Sequence, residues 1–232
     1  MACPKWENMR WVGPTLSKGG MSMTHTLHRT GPVESLKDDY VVMLMSSKFV
    51  NRQGSGPKFR RFLQMALDHG AIKIGDAGLG NEYLQGGVNK VLENVCERSV
   101  VVHAVFKDAE TVARFLKAVK VENFGLSIIV SGLFDEVRGI CKKTDLEFHT
   151  VNQSLGRWGR TDKLPSGKIL ELNTMCGHGM VTLNLIEDVI EDVKKGRCAP
   201  EEGAERLFRP CQCGVFNPYR AARLLRSMVS HK

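Results

Sequence analysis

Val100-Val101-Val102-His103-Ala104-Val105-Phe106-Lys107-Asp108 is the stretch whose reading decides the fold. A short, unbroken, β-branched run of this kind is a strand buried on both faces. Asp108 then supplies a helix N-cap, and Val112, Phe115, Leu116 and Val119 recur behind it at helical spacing. Leu126-Ser127-Ile128-Ile129-Val130 is the next strand, and Ser131-Gly132 turns into a helix carrying Val137, Ile140 and Cys141. Phe148-His149-Thr150-Val151 closes this part as a further strand.

The same alternation extends outward. Upstream, Asp39-Tyr40-Val41-Val42-Met43-Leu44-Met45 reads as a buried strand. Gly54-Ser55-Gly56-Pro57 then opens a helix with Phe59, Phe62, Leu63, Ala66 and Leu67 on one face, stopped at His69-Gly70. Val88, Val91, Leu92 and Val95 form another helical stripe. Downstream, Lys168-Ile169-Leu170-Glu171-Leu172-Asn173 is expected to be the last strand. Asn184 with Glu187 gives a capping box for a helix with Ile186, Val189, Ile190 and Val193. Pro200 opens a short helix, and Asn217-Pro218 caps a C-terminal one. Strands alternating with helices predict an α/β fold, with a mostly parallel sheet, covering helices and a C-terminal helical segment closing a Cys-rich site. Residues 1–23 are expected to be a flexible leader, with Met21 or Met23 as the functional start. Residues 24–232 are expected to be a single α/β domain, with a subdivision near residue 98 and with 168–232 carrying the Cys-rich site.

Composition narrows the class. At 232 residues, 42% of them hydrophobic, the chain can bury a sizeable core. No window approaches the apolar run of a membrane-spanning helix, and Met1-Ala2-Cys3-Pro4-Lys5-Trp6 lacks the apolar core of a secretory signal. The net charge of +8 suits an anionic small molecule or an acidic protein partner. Because that charge is spread along the chain, nucleic acid is not the favoured partner. Cysteines number seven, an odd count in a chain too long to need disulfide staples, which implies the reducing cytoplasm.

Chemistry concentrates near the C-terminus. Asn173-Thr174-Met175-Cys176-Gly177-His178-Gly179-Met180 carries C-x-H, and Arg209-Pro210-Cys211-Gln212-Cys213-Gly214 carries C-x-C. Clustered cysteines in a reducing compartment point to metal or to thiol catalysis. The glycines let backbone bend around a bound group, and the following helix starts favour thiolate over thiol. Four occupants are open. An iron–sulfur cluster on Cys176, Cys211 and Cys213, with His178 or an external ligand at the fourth iron, fits the thiolate count and comes first. A Cys₃His zinc site on the same residues is second, although C-x-C makes a tighter ring than the usual zinc knuckle. Metal-free thiol chemistry at Cys176, activated near His178, is third. The fourth is that these are structural cysteines.

Anion-binding candidates are scattered. His25 and His28 stand beside Arg29, Lys58 lies at the glycine-rich helix start, and Arg157 and Arg160 flank Trp158. Gly78-Leu79-Gly80 lacks the third glycine of a dinucleotide fingerprint, because Tyr83 stands in its place; the region reads as a flexible or tightly turned loop. Cys96 and Cys141 read as small buried hydrophobes.

Met175-Cys176-Gly177-His178-Gly179 resembles the segment bearing one catalytic cysteine in the proline racemase family, where a Pro-Cys-Gly-Thr-Gly segment supplies a second. Here Pro210-Cys211 continues as Gln212-Cys213-Gly214, and the chain is too short for that family's two lobes. The likeness covers only the short Cys176 segment and is set aside as chance, leaving a cysteine-based isomerase or transferase as a minor alternative. The expected function is therefore an iron–sulfur protein with a redox, Lewis-acid or cluster-handling role. A zinc-stabilised basic module binding nucleic acid or an acidic partner is the alternative.

Overall fold

The computed structural model describes residues 9–13, 29–153, 157–165 and 167–229. In chain order the elements are β1 (Met9–Gly13), α1 (Val33–Leu36), β2 (Tyr40–Met45), α2 (Ser55–Asp68), β3 (Lys73–Asp76) and β4 (Gly80–Asn81). They continue with α3 (Glu82–Gln85), α4 (Val88–Asn94), β5 (Val101–Phe106), α5 (Ala109–Glu122), β6 (Ser127–Ser131), α6 (Phe134–Thr144) and β7 (Thr150–Gln153). Four further helices complete the chain: α7 (Gly167–Thr174), α8 (Leu183–Lys194), α9 (Pro200–Phe208) and α10 (Pro218–Val229).

The sheet order is β4-β3-β5-β2-β6-β1-β7. From β4 to β6 every neighbouring pair is antiparallel. Parallel pairing occurs only at the far edge, where β1 lies between β6 and β7. The expectation of a mostly parallel sheet is therefore overturned. Its physical origin is clear. β2–α2–β3 and β5–α5–β6 are each strand–helix–strand units whose two strands point the same way. The units interleave, so β5 sits between β2 and β3, while β2 sits between β5 and β6. This is the split βαβ, or ferredoxin-like, topology, and a topology by itself carries no function.

Both faces of the sheet are covered, which is why its central strands are continuously apolar. Val42, Leu44, Val102, Ala104, Phe106, Ile128 and Val130 face a core built with α2, α4, α5 and α6. Phe62 of α2 and Phe115 of α5 meet edge-on there, with ring centres 5.2 Å apart. Val41, Met43, Val105 and Ile129 face the second core, which is closed by α7, α8, α9 and α10.

Side-chain caps set several helix starts. Asp108 caps α5 by accepting from the Thr111 N–H at 2.7 Å, and Asn217 caps α10 by accepting from the Arg220 N–H at 3.0 Å. Two expectations need correction. The run 168–173 is helical, as α7, and not a strand. Leu and Glu are good helix formers and a short apolar run is ambiguous in period; Thr174 Oγ1 seals the last turn by donating to the Leu170 carbonyl at 2.8 Å. Helix α8 is capped by Thr182, which accepts from the Leu185 N–H at 3.4 Å, and not by an Asn184 capping box. Among the described residues, no helix is long and apolar enough to cross a membrane.

Candidate metal centre

Two turns in the second layer carry the cysteines. The first joins α7 to α8, and Asn173 Nδ2 closes it by donating to the Val181 carbonyl at 2.9 Å. The second joins α9 to α10, where the Cys211 N–H reaches the Phe208 carbonyl and the Gly214 N–H reaches the Cys211 carbonyl, both at 2.9 Å. Cys176, Cys211 and Cys213 are all buried in the second core.

The three thiols are neighbours in the second core, with Cys211 beside both Cys176 and Cys213. Backbone N–H groups that favour thiolate lie near them: those of His178 and Met180 by Cys176, that of Phe216 by Cys211, and that of Val215 by Cys213. The bond from Cys211, helped by the Val215 N–H and the nearby Arg29 cation, holds Cys213 below the usual thiol value. The bond to Cys211 and then burial push Cys176 well up. Cys211 is lowered by the bond from Cys176, but its own donation to Cys213 and its burial push it up to about 12. His178 is exposed on the turn above, with Nδ1 3.8 Å from the Cys213 sulfur.

Among the described residues, no set of three or more His, Cys, Asp and Glu side chains is arranged to hold a single metal ion as it stands.

The scaffold behind the thiols is polar and buried. Arg29 donates to the carbonyls of Met175, at 3.4 Å, and Val215, so one guanidinium grips both cysteine turns. It is ion-paired to Asp39, which also takes Arg220 Nη1 at 2.9 Å and Asn217 Nδ2 at 3.0 Å. Arg220 extends the network to Glu171 of α7 at 2.8 Å. Burial pulls Arg29 below its ordinary value, and Asp39 opposes that pull. On the other side, the buried Asn81 donates to the carbonyls of Arg209, at 3.1 Å, and Cys211, at 2.8 Å. Gly75 lets the C-x-C turn lie directly on β3: a Cβ there would stand 2.4 Å from the Cys213 carbonyl oxygen.

Sequence reasoning missed Asn81, Gly75, Asp39 and Arg220. Only Gly75 and Asn81 left a local trace, in a glycine-rich segment read as a loop; it is instead the β3–β4 hairpin that buttresses Cys211.

The anion-binding candidates do not assemble. His25 and His28 lie outside the described residues. Arg29 is sealed and committed to Asp39 and two carbonyls, so it is not open to an external anion. Lys58, on the opposite face of the sheet, donates to the Phe124 carbonyl at 2.7 Å. Arg160 pairs with Asp162 at 3.0 Å, and Arg157 is half-buried in the segment before α7. Cys141 is buried in the first core, where burial pushes its thiol up to about 11.

Compared with known proteins, the chain matches no family model, no curated sequence and no solved structure.

Proposed function

We propose that Cys176, Cys211 and Cys213 hold a metal centre and that this centre is an iron–sulfur cluster. One observation carries the reading: three thiols from two separate turns are buried side by side, with backbone N–H groups near each sulfur. N–H···S bonds stabilise thiolate and tune metal–thiolate centres, whereas cysteines that merely fill a core do not need them. The described cysteines are free thiols, which suits a reducing cytoplasm.

Three thiolates would fit a cluster, each on a different iron, and with His178 they would also fit a Cys₃His zinc site; the thiolate count puts the cluster first. Gly177 and Gly214, at φ 74° and 82°, sit in the two turns that would have to shift to admit the cluster.

The test is iron and acid-labile sulfide content after oxygen-free purification, beside Cys211→Ala. Iron and sulfide in the wild type, lost in the variant, are expected. Zinc at one per chain without visible absorption would replace the cluster by the zinc reading, and no metal at all would end both.

A further inference from the structure

We propose that the cavity between α3 and α9 is a binding site for a free α-amino acid with an apolar side chain. The site lies outside the thiol cluster and does not depend on any metal. The cavity holds about 570 Å³, a size that takes a small molecule. Lys73 of β3, Glu82 and Tyr83 of α3, and Glu205, Phe208 and Arg209 at the end of α9 line it. A Cβ added at Gly86 or Gly87, which line it too, would meet nothing within 4 Å, so the space there is unfilled.

The charges around this space are unevenly matched. Glu82 is largely buried and fully used: it accepts from the Ile74 N–H at 2.8 Å and pairs with Lys73 at 3.2 Å. The same ammonium is 3.2 Å from Glu205 and lies over the Phe208 ring, 4.7 Å from its centre. One cation therefore serves two carboxylates, and Glu205, with its side chain 46% exposed, is the one left short. Arg209 has the opposite surplus. It is exposed, its guanidinium lies 5.0 Å from the centre of the Tyr83 ring, and no carboxylate among the described residues pairs with it. Glu205 and Arg209 stand one helical turn apart, the Arg209 N–H donating to the Glu205 carbonyl at 3.2 Å, a spacing at which opposite charges ordinarily pair. Here Glu205 is drawn to Lys73 and Arg209 to Tyr83, which leaves a carboxylate and a guanidinium open to one space.

That pair selects the chemical class of the ligand. A lone carboxylate would satisfy Arg209 and leave Glu205 short of a cation, and a lone amine would do the reverse. An α-amino acid carries both charges on one carbon. Its carboxylate matches the planar fork of Arg209, its ammonium group matches Glu205, and its apolar side chain has Tyr83 and Phe208 as aromatic wall. The neighbouring cavity on the other side of Glu205 lacks this surplus, because its Arg226 is paired with Glu201.

The experiment is isothermal titration of the full chain with L-phenylalanine, with hydrocinnamate, which lacks the ammonium group, and with phenethylamine, which lacks the carboxylate. Saturable binding of L-phenylalanine at about millimolar concentration or below is expected, with each truncated ligand about tenfold weaker or more. Arg209→Met should bring L-phenylalanine to the affinity of phenethylamine, and Glu205→Gln should bring it to that of hydrocinnamate. Far-ultraviolet circular dichroism checks that both variants fold, and the truncated ligands test the same pairing on the wild type. Absence of saturable L-phenylalanine binding to the folded wild type overturns the inference. So does hydrocinnamate binding as tightly as L-phenylalanine, which would make this a plain anion site, and so does unchanged affinity in both folded variants. The readout is heat of binding and not iron, so failure here leaves the cluster reading standing, and a chain without iron leaves this site standing.

Discussion

Replacing Arg29 by Leu should cost both stability and metal, in amounts the structure allows to be worked out. Arg29 and Asp39 are both buried, and removal of one partner of a buried ion pair costs about 3–5 kcal/mol because the other charge is left uncompensated. Asp39 keeps Arg220 and Asn217, which puts this part near the lower limit. The Met175 and Val215 carbonyls also lose a donor, at about 0.5–1.5 kcal/mol each. The sum is about 4–6 kcal/mol, or roughly 10–20 °C in Tm for a chain of this size. Chemical denaturation of the metal-free protein reads the stability. Iron content read at a temperature where both proteins are fully folded separates the site from the fold, because Arg29 grips one carbonyl in each cysteine turn. Arg29→Lys, which keeps the charge but not the planar fork, should fall between wild type and Leu. A loss below 1 kcal/mol with full iron content would show that neither the ion pair nor the grip matters as argued.

Two further outcomes test the scaffold and the thiols outside it. Gly75→Ala places a methyl group against the backbone of Cys213 and Gly214, where no flexible side chain can yield. It should cost about 1–3 kcal/mol and lower iron content while far-ultraviolet circular dichroism stays unchanged; full iron content would mean the C-x-C turn is not set by β3. Cys96 is held below the usual thiol value first by the Arg98 backbone N–H, then by its side chain, with the Ser99 N–H adding to the effect. Its thiolate therefore persists to lower pH in the folded chain, so the rate of iodoacetamide labelling at Cys96 should level off at lower pH than in urea-unfolded protein. Coincident profiles by peptide mass spectrometry would contradict that.

The elements of this fold were more legible than their arrangement. The β5 and β2 runs, the α5 stripe with its Asp108 cap and the Asn217 cap are all fixed by local chemistry, and they stand where periodicity and capping put them. Strand direction is not local. A strand buried on both faces looks the same whether its neighbours are parallel or antiparallel, since the continuous apolar run reports only that both faces are covered. Here α7 to α10 cover the face that α2 and α5 leave open. An interleaved antiparallel sheet consequently produced the pattern that usually marks a parallel one. The helix α7 was misread for a related reason, because Ile169, Leu170 and Leu172 are too few to separate a period of 2 from one of 3.6.

The candidate site divides in the same way. Cys176, His178, Cys211 and Cys213 could be read because ligand spacing is a property of neighbouring residues. What holds them together could not, because it comes from everywhere else: Arg29 precedes the first helix, Asp39 precedes β2, Gly75 is on β3, Asn81 is on the edge strand β4, and Arg220 is on the last helix. None of these carries a motif, and each is explained only by what it touches. The layer that covers the open face of the sheet is also the layer that supplies every candidate ligand, so closing the second core and assembling the thiol cluster are one event. It follows that a chain folded far enough to bury Val41, Met43, Val105 and Ile129 under α7 to α10 must already have brought the two cysteine turns together. The thiol cluster is therefore set by the packing of the protein.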